Sequence, residues 1–249
     1  MSLTIFRRAK IISLSVFLLG AATVGIAYSL AYARKPKPLP GFTMFSKQTL
    51  TLAESGETQL RGNIERYQKS DGSWALVNTY YLPDGTIYNR DNGFGQLGRG
   101  VFRVNEKSKL LSFLSPMSSK PNELSEDDVI AGLRKDPHFV REEDVMGYKT
   151  YVLRYPDAAD PGYVENYLAP ALHGLVIKSV SVMSIGVEVI EPVRIIPGEP
   201  SESVFGGMPD YPVNYEHFEK KIEATEKAGK REVAEEMRRQ LQQRRSGKQ

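Results

Sequence analysis

The order of apolar and polar positions divides the chain into three regimes. Ile11–Ala33 reads IISLSVFLLGAATVGIAYSLAYA and carries no charged side chain. A helix rising about 1.5 Å per residue over that run is long enough for the roughly 30 Å hydrocarbon layer of a bilayer, so a single N-terminal transmembrane helix is expected there. From Thr58 the period falls to two. Thr58–Lys69 and Ser73–Tyr81 flank Asp71-Gly72, a short-range hairpin signal. Pro83-Asp84-Gly85 turns into Thr86–Arg90, and Arg99–Asn105 and Leu110–Leu114 complete a five-strand meander. Ser125 then caps Glu126, Asp127 and Asp128, acids where a helix N-terminus favours them, with Val129, Ile130 and Leu133 as an apolar stripe. That predicts a helix over Ser125–Lys135. Strands resume at Gly147–Tyr155, Tyr163–Leu168, Gly174–Met183 and Ile185–Ile196, with Pro192 marking an edge or a bulge. The third regime is helical: Tyr215, Phe218 and Ile222, then Val233, Met237 and Leu241, keep 3–4 spacing on either side of Ala228-Gly229.

The fold class that follows is α+β. Behind the transmembrane helix stands a curved antiparallel sheet, a half-barrel of about nine strands, with one inserted helix and a C-terminal helical hairpin. The plan along the chain is a basic n-region at 1–10, the transmembrane or signal-anchor segment at 11–33, a Pro/Lys-rich spacer at 34–45, the β-rich domain at 46–205 and the hairpin tail at 212–245. Lys35-Pro36-Lys37-Pro38-Leu39-Pro40 blocks helix and favours an extended stand-off.

Charge changes this picture by its partition. Residues 1–40 carry six basic side chains and no acid; 41–212 are net −6 and 213–249 net +3. An acidic globular part argues against a nucleic-acid partner, whose phosphates need clustered Lys and Arg. The basic ends suit anionic lipid or an acidic protein surface, or are solvated helix faces. The chain has no cysteine, which removes disulfides, thiol catalysis and thiolate metal sites. Arg7, Arg8 and Lys10 precede the apolar run as an export n-region does. Two fates are open for it. Ala31-Tyr32-Ala33 has the form of a signal-peptidase site, releasing a periplasmic domain; the length of the run and the basic residues after Ala33 favour a retained anchor, a single-pass inner-membrane protein with its domain outside the cytoplasm.

Candidate chemistry is sparse. Gly93-Phe-Gly95-Gln-Leu-Gly98 has G-x-G-x-x-G spacing, but it lies between strands with no helix to receive a pyrophosphate and reads as a hairpin tip. His138, His173 and His217 fall in separate elements without ligand spacing, and Glu142-Glu143-Asp144 reads as a solvated loop before it reads as a cation site. No catalytic residue, cofactor or metal ligand is assigned. Aromatic side chains crowd the predicted strands. Tyrosine favours strands for its own sake, and a curved sheet with an aromatic concave side also suits an acyl chain; Trp74, Tyr80, Phe102, Tyr151 and Tyr167 are the candidate contacts to such an apolar ligand.

The meander, the acid-capped helix and the stretches GYKTYVLRY and YVENYLAPALHGLVIKSVSV, including Val145-Met-Gly-Tyr-Lys-Thr-Tyr and Tyr167-Leu-Ala-Pro, resemble the half-barrel of periplasmic lipoprotein carriers over about Leu50 to Ser203. The fold is similar to that of periplasmic regulators that sense envelope stress. The resemblance implies a cavity for lipid acyl chains; the chain departs from it in having no lipid-attachment cysteine and in its helical tail. Two functions are therefore expected: a membrane-anchored extracytoplasmic protein whose sheet accepts a lipid, acyl chain or lipidated polypeptide, or a non-enzymatic structural or regulatory module that binds a protein partner through residues 212–245. The partners are the bilayer through Ile11–Ala33, a lipid or acyl ligand, and a protein at the hairpin.

Overall fold

The computed structural model describes residues 41–117, 125–157, 161–206 and 209–246. The strands are β1 (Phe42–Leu52), β2 (Thr58–Gln68), β3 (Trp74–Tyr81), β4 (Ile87–Gln96), β5 (Gly100–Asn105), β6 (Leu110–Ser115), β7 (Phe139–Val145), β8 (Tyr148–Pro156), β9 (Tyr163–Ala169), β10 (Leu175–Met183), β11 (Gly186–Pro197) and β12 (Val213–Asn214). The helices are α1 (Glu126–Lys135), α2 (Glu202–Gly206), α3 (Glu216–Lys227) and α4 (Arg231–Arg245). Hydrogen bonding orders the strands β12-β6-β5-β4-β3-β2-β1-β11-β10-β9-β8-β7. The β12–β6 pair is parallel, so the sheet is mixed.

Three parts of the expected fold class are corrected. The sheet is open and mixed, with twelve strands in place of a nine-strand antiparallel half-barrel. Among the described residues no helix is long and apolar enough to cross a membrane, and Ile11–Ala33 lies outside them. The single-pass inner-membrane location, the bilayer as a partner and the anchored lipid-binding function all rested on that helix, and none is carried further. The third correction is in the count. β1, β7 and β12 are additional to the sequence reading. In β1 the buried positions alternate strictly, but two of them are Ser46 and Gln48, so the polar residues break the apolar signal. β7 carries four charges in seven residues, FVREEDV, and two of its three acids are held in ion pairs: Glu142 takes Arg134 and Lys149 at 2.7 and 2.6 Å, and Glu143 takes Arg141 at 3.1 Å.

The chain divides into two compact units. Unit 1 holds residues 49–59 and 122–192. Within it β7 to β11 are antiparallel neighbours, and α1 packs on the face bearing Tyr151, Leu153 and Leu168, joined by Val129, Ile130 and Phe139. The start of α1 is a capping box: Asp128 donates its backbone N–H to Ser125 Oγ at 3.2 Å, and Ser125 N–H returns to Asp128 Oδ2 at 3.3 Å. Pairing of β11 with β10 runs only to Ile190, two residues short of Pro192, so proline's missing donor costs that ladder nothing.

Unit 2 holds residues 38–48, 60–121 and 193–249. Its core is Phe94, Phe102, Val104, Leu111 and Phe113 from the sheet with Phe218, Ile222, Ala234 and Leu241 from the helical hairpin. Most of the hairpin's 3–4 apolar stripe packs inside unit 2, with Phe218 1% exposed, but the expected Val233 is 53% exposed and its neighbour Ala234, 0% exposed, takes its place in the core. Across the hairpin, Arg245 pairs with Glu219 at 2.6 Å and Arg238 with Glu226.

The β7–β8 hairpin closes with Val145 opposite Tyr148, leaving Met146 and Gly147 as a two-residue turn with φ of 52° and 81°. Both central residues are left-handed, the geometry Asn-Gly prefers. Nothing stands within 4 Å of a Cβ built on Gly147. Gly147→Ala is therefore expected to lower stability through backbone strain alone, by about 1–2 kcal/mol, and Met146→Asn to raise it by a few tenths. Urea midpoints of the two variants, moving in opposite directions, check this.

Candidate functional site

Unit 1 concentrates its charge on the sheet face opposite α1. Register sets Arg154 on β8 across from Glu165 on β9, and Tyr167 on β9 across from Val152. Because side chains alternate along a strand, Glu165 and Tyr167 share a face, and Arg141 on β7, opposite Val152, joins them. Arg141 donates Nη1 and Nη2 to the two Glu165 oxygens, both at 2.9 Å, and Nε to Glu143 at 3.1 Å. Arg154 donates Nε and Nη2 to Glu165 Oε1 at 3.0 and 2.6 Å. The Tyr167 hydroxyl adds a bond to Oε2 at 3.2 Å. Glu165, 5% exposed, is held by two guanidinium forks, which is the way a carboxylate tolerates burial. The Arg141 and Arg154 bonds hold its pKa down to about 2, and burial pushes the Tyr167 phenol up to about 12. Lys178 lies 4.7 Å from the Tyr167 ring centre and Arg154 4.4 Å from that of Tyr163. The cage consumes its own donors: every guanidinium nitrogen of Arg141 already has an acceptor. It is a clamp across three strands and leaves no vacant fork for a ligand anion.

Unit 2 offers a cleft and a charged helical surface. The cleft, about 130 Å³, runs along β3 and β4 beside α2, between Val77, Phe94, Val204 and Phe205, with Asn92, Gln96 and Glu106 as polar lining. A cavity of roughly 150 Å³ holds one benzene-sized ring. Acyl chains need several times that space. Asn92 Oδ1 is buried here without a hydrogen-bond partner among the described residues. The outer surface of the hairpin is polar, and its connection Lys227-Ala-Gly-Lys230-Arg231 is exposed throughout. None of those three basic side chains has an ion-pair partner among the described residues.

The five aromatic residues named from sequence are spread over both units. Phe102 pairs with Phe94 and Phe113 on the core face of unit 2, and Phe94 pairs with Ala75. Trp74, next to Ala75, and Tyr80 at the same parity therefore point to the other face, where the Trp74 indole lies against Gly95. In unit 1, Tyr151 pairs with Leu168 and is 1% exposed under α1, while Tyr167 is on the opposite face in the Glu165 cage. Phe102 and Tyr151 are core residues of their units.

The glycine motif is divided between strand and turn. Gly93 and Gly95 are β4 residues paired to β3 and β5, and Gly98, at φ 74°, lies in the turn that follows. The turn is closed from α4, where the Arg244 guanidinium donates to the carbonyl of Arg99. Burial pushes the Arg244 pKa down. His138 lies against Tyr155 in a tilted contact with ring centres 4.5 Å apart, His173 is the left-handed cap of the Pro170–Leu172 turn, and His217 belongs to α3. Among the described residues no group of three or more His, Asp or Glu side chains is placed to hold a metal ion. Sequence reasoning missed Arg141, Arg154 and Glu165. Their signal was present as Tyr163-x-Glu165-x-Tyr167, an alternation that puts a carboxylate between two phenols on one face.

No protein-family model matches the chain, and comparison with curated proteins returns no match. Among solved structures, PNGF-II aligns at 14% identity with a TM-score of 0.43, covering 71% of this chain and 31% of that one; the chain spans about a third of that protein's length. A LolA-superfamily protein from Nitrosomonas europaea aligns at 13% identity and a TM-score of 0.29, covering 69% of this chain and 92% of that one. A β-barrel-like protein of a domain of unknown function from Brucella abortus aligns at 11% identity and 0.33, covering 66% and 100%. Each of these alignments is distant and partial, with a TM-score below 0.5.

The Glu165 cage carries a pH dependence of definite sign. Its folded pKa, about 2, lies below the ordinary 4.5, so the cage contributes fully above about pH 4.5 and is lost as pH falls toward 2. A depression of that size corresponds to about 3 kcal/mol. Glu165→Gln is expected to lower stability by that order at pH 7 and to flatten the acid limb of the melting-temperature profile between pH 5 and 2.

Proposed function

We propose that the protein is a non-catalytic structural module that docks an acidic protein surface through the exposed face of its C-terminal helical hairpin. The observation that carries this reading is the division of labour within the hairpin. Phe218, Ile222, Ala234 and Leu241 fix it in the unit 2 core, and the basic connection Lys227–Arg231 is left exposed and unpaired among the described residues. A helix pair with its apolar stripe already covered recognises a partner by charge. Exposed Lys and Arg clustered on a fixed scaffold attract an acidic surface, speed encounter and add little apolar burial. Val233, 53% exposed and two residues beyond Arg231, supplies an apolar point beside that surface. The cleft's ring-sized volume and the division of the aromatic residues between different faces speak against an acyl-chain carrier.

Charge reversal tests this without disturbing the core. The full chain and its Lys227→Glu/Lys230→Glu/Arg231→Glu variant are cross-linked in extracts of the source cells, and the cross-links are mapped by mass spectrometry. Cross-links from 221–236 to acidic segments of one protein are expected for the unaltered chain at low salt. They should weaken as salt rises toward physiological strength and fall at least tenfold in the variant, with its melting temperature unchanged. An unchanged partner set in the variant contradicts the docking role.

A further inference from the structure

We propose that the unit 2 cleft is a binding site for a small arylalkyl ammonium, a single aromatic ring carrying a protonated amine on a short linker. The site is separate from the hairpin surface and does not depend on the docking function.

Three features of the cleft select this class. The first is size: about 130 Å³ matches one six-membered ring. The second is the wall. Phe94 and Phe205 with Val77 and Val204 form an apolar lining, and Phe94 is fixed by a stacked contact with Phe102, ring centres 5.2 Å apart. A wall held by the core keeps its shape when a ring enters. The third is the polar lining. None of its described lining residues is basic, and the one ionised group among them is the Glu106 carboxylate. Glu106 Oε2 accepts from the Tyr211 hydroxyl at 2.8 Å and from Lys109 Nζ at 3.2 Å, which orients the carboxylate at the exposed end of the β5–β6 turn. The Oε1 lone pairs remain for a third donor. Deeper on the same face, in register with Val77 and Val104, Asn92 keeps its buried carbonyl oxygen without a partner among the described residues. A rotation about χ2 turns that acceptor to a donor in the cleft. Lys109 occupies one oxygen of Glu106, and the remaining acceptors, Glu106 Oε1 and Asn92 Oδ1, call for a ligand that brings donors and positive charge. An anionic aromatic of the same shape would meet the Glu106 carboxylate and would have to compete with it for Lys109.

The ammonium can belong to a free small molecule or to an aryl-bearing residue at a peptide N-terminus, and the experiment separates the two. The full chain, methyl-labelled at valine, is titrated with benzylamine, benzoate and toluene, and with a short peptide whose N-terminal residue is phenylglycine. Benzylamine is expected to shift the Val77, Val104 and Val204 methyls with millimolar affinity, at least fivefold tighter than benzoate or toluene. Glu106→Gln should remove that preference, and Lys109→Gln, which frees the carboxylate from its internal cation, should tighten benzylamine further. The peptide matching benzylamine assigns the site to a chain terminus; benzylamine alone assigns it to a free amine. Absence of shifts at the three valines, or equal affinity for benzylamine and benzoate in the unaltered chain, overturns the proposal. That comparison decides the matter even if a variant fails to fold. Neither result bears on the charge-reversal experiment at the hairpin.

Discussion

Phe113 is the contact on which unit 2 depends. It is fully buried, and four side chains from three elements meet its ring. Phe102 lies 5.5 Å away on β5, Tyr215 5.4 Å away at the start of α3, Phe218 5.0 Å away in edge-to-face contact, and the Arg244 guanidinium of α4 5.1 Å from its centre. Such edge and stacked pairs contribute beyond the area they bury. Gly100 shows how little room is left. Its φ is 123°, and a Cβ placed there would come within 2.6 Å of the Phe113 ring. The turn before β5 must therefore be glycine for two reasons at once, conformation and space. Because α3 and α4 both reach this ring, the hairpin's position is fixed by the same packing that holds β4, β5 and β6 together.

Unit 1 reaches its stability by a different balance. One sheet face is apolar, packed under a helix whose capping box satisfies donors at its N-terminus. The other face is a charge lattice that protects a buried carboxylate by surrounding it with Arg141, Arg154 and Tyr167. Removing one member of such a lattice is costly because its partners stay buried and unpaired, whereas the whole set adds less than the sum of its bonds. The β7 edge is also guarded by charge, as exposed edges usually are.

Much of the architecture is legible in the chain. The Asp71-Gly72 turn, the acid-capped helix after Ser125 and, apart from Val233, the 3–4 stripe of the tail lie where local chemistry places them, and eight of the nine predicted strands lie within a few residues of their predicted positions. The misses share one physical cause. β1 buries Ser46 and Gln48, β7 holds Arg141, Glu142 and Glu143 in ion pairs at the surface, and β12 is two residues held by pairing to β6. In each case tertiary partners pay for polarity or brevity that no local pattern can anticipate. β4 runs on through Gly93 and Gly95 for the converse reason: glycine's local freedom is overruled by ladders on both sides. The aromatic residues are the weakest guide to a site. Alternation reports that two positions share a face only within one strand, and Phe102 and Trp74 are separated by register that becomes visible only when neighbouring strands are aligned. The Glu165 cage escapes a reading of single strands for the same reason, since its members come from three of them.

A hairpin whose apolar side is buried and whose basic connection faces outward is a scaffolded surface, and the functional reading rests on the hairpin being integral to unit 2. Native-state hydrogen exchange measures this directly. Amides of Phe218 and Ile222 in α3 should open with the same free energy and the same denaturant slope as those of Phe102 and Phe113, because one aromatic core holds all four. Exchange of α3 and α4 through a local opening at markedly lower free energy, with β5 and β6 still protected, would contradict the account.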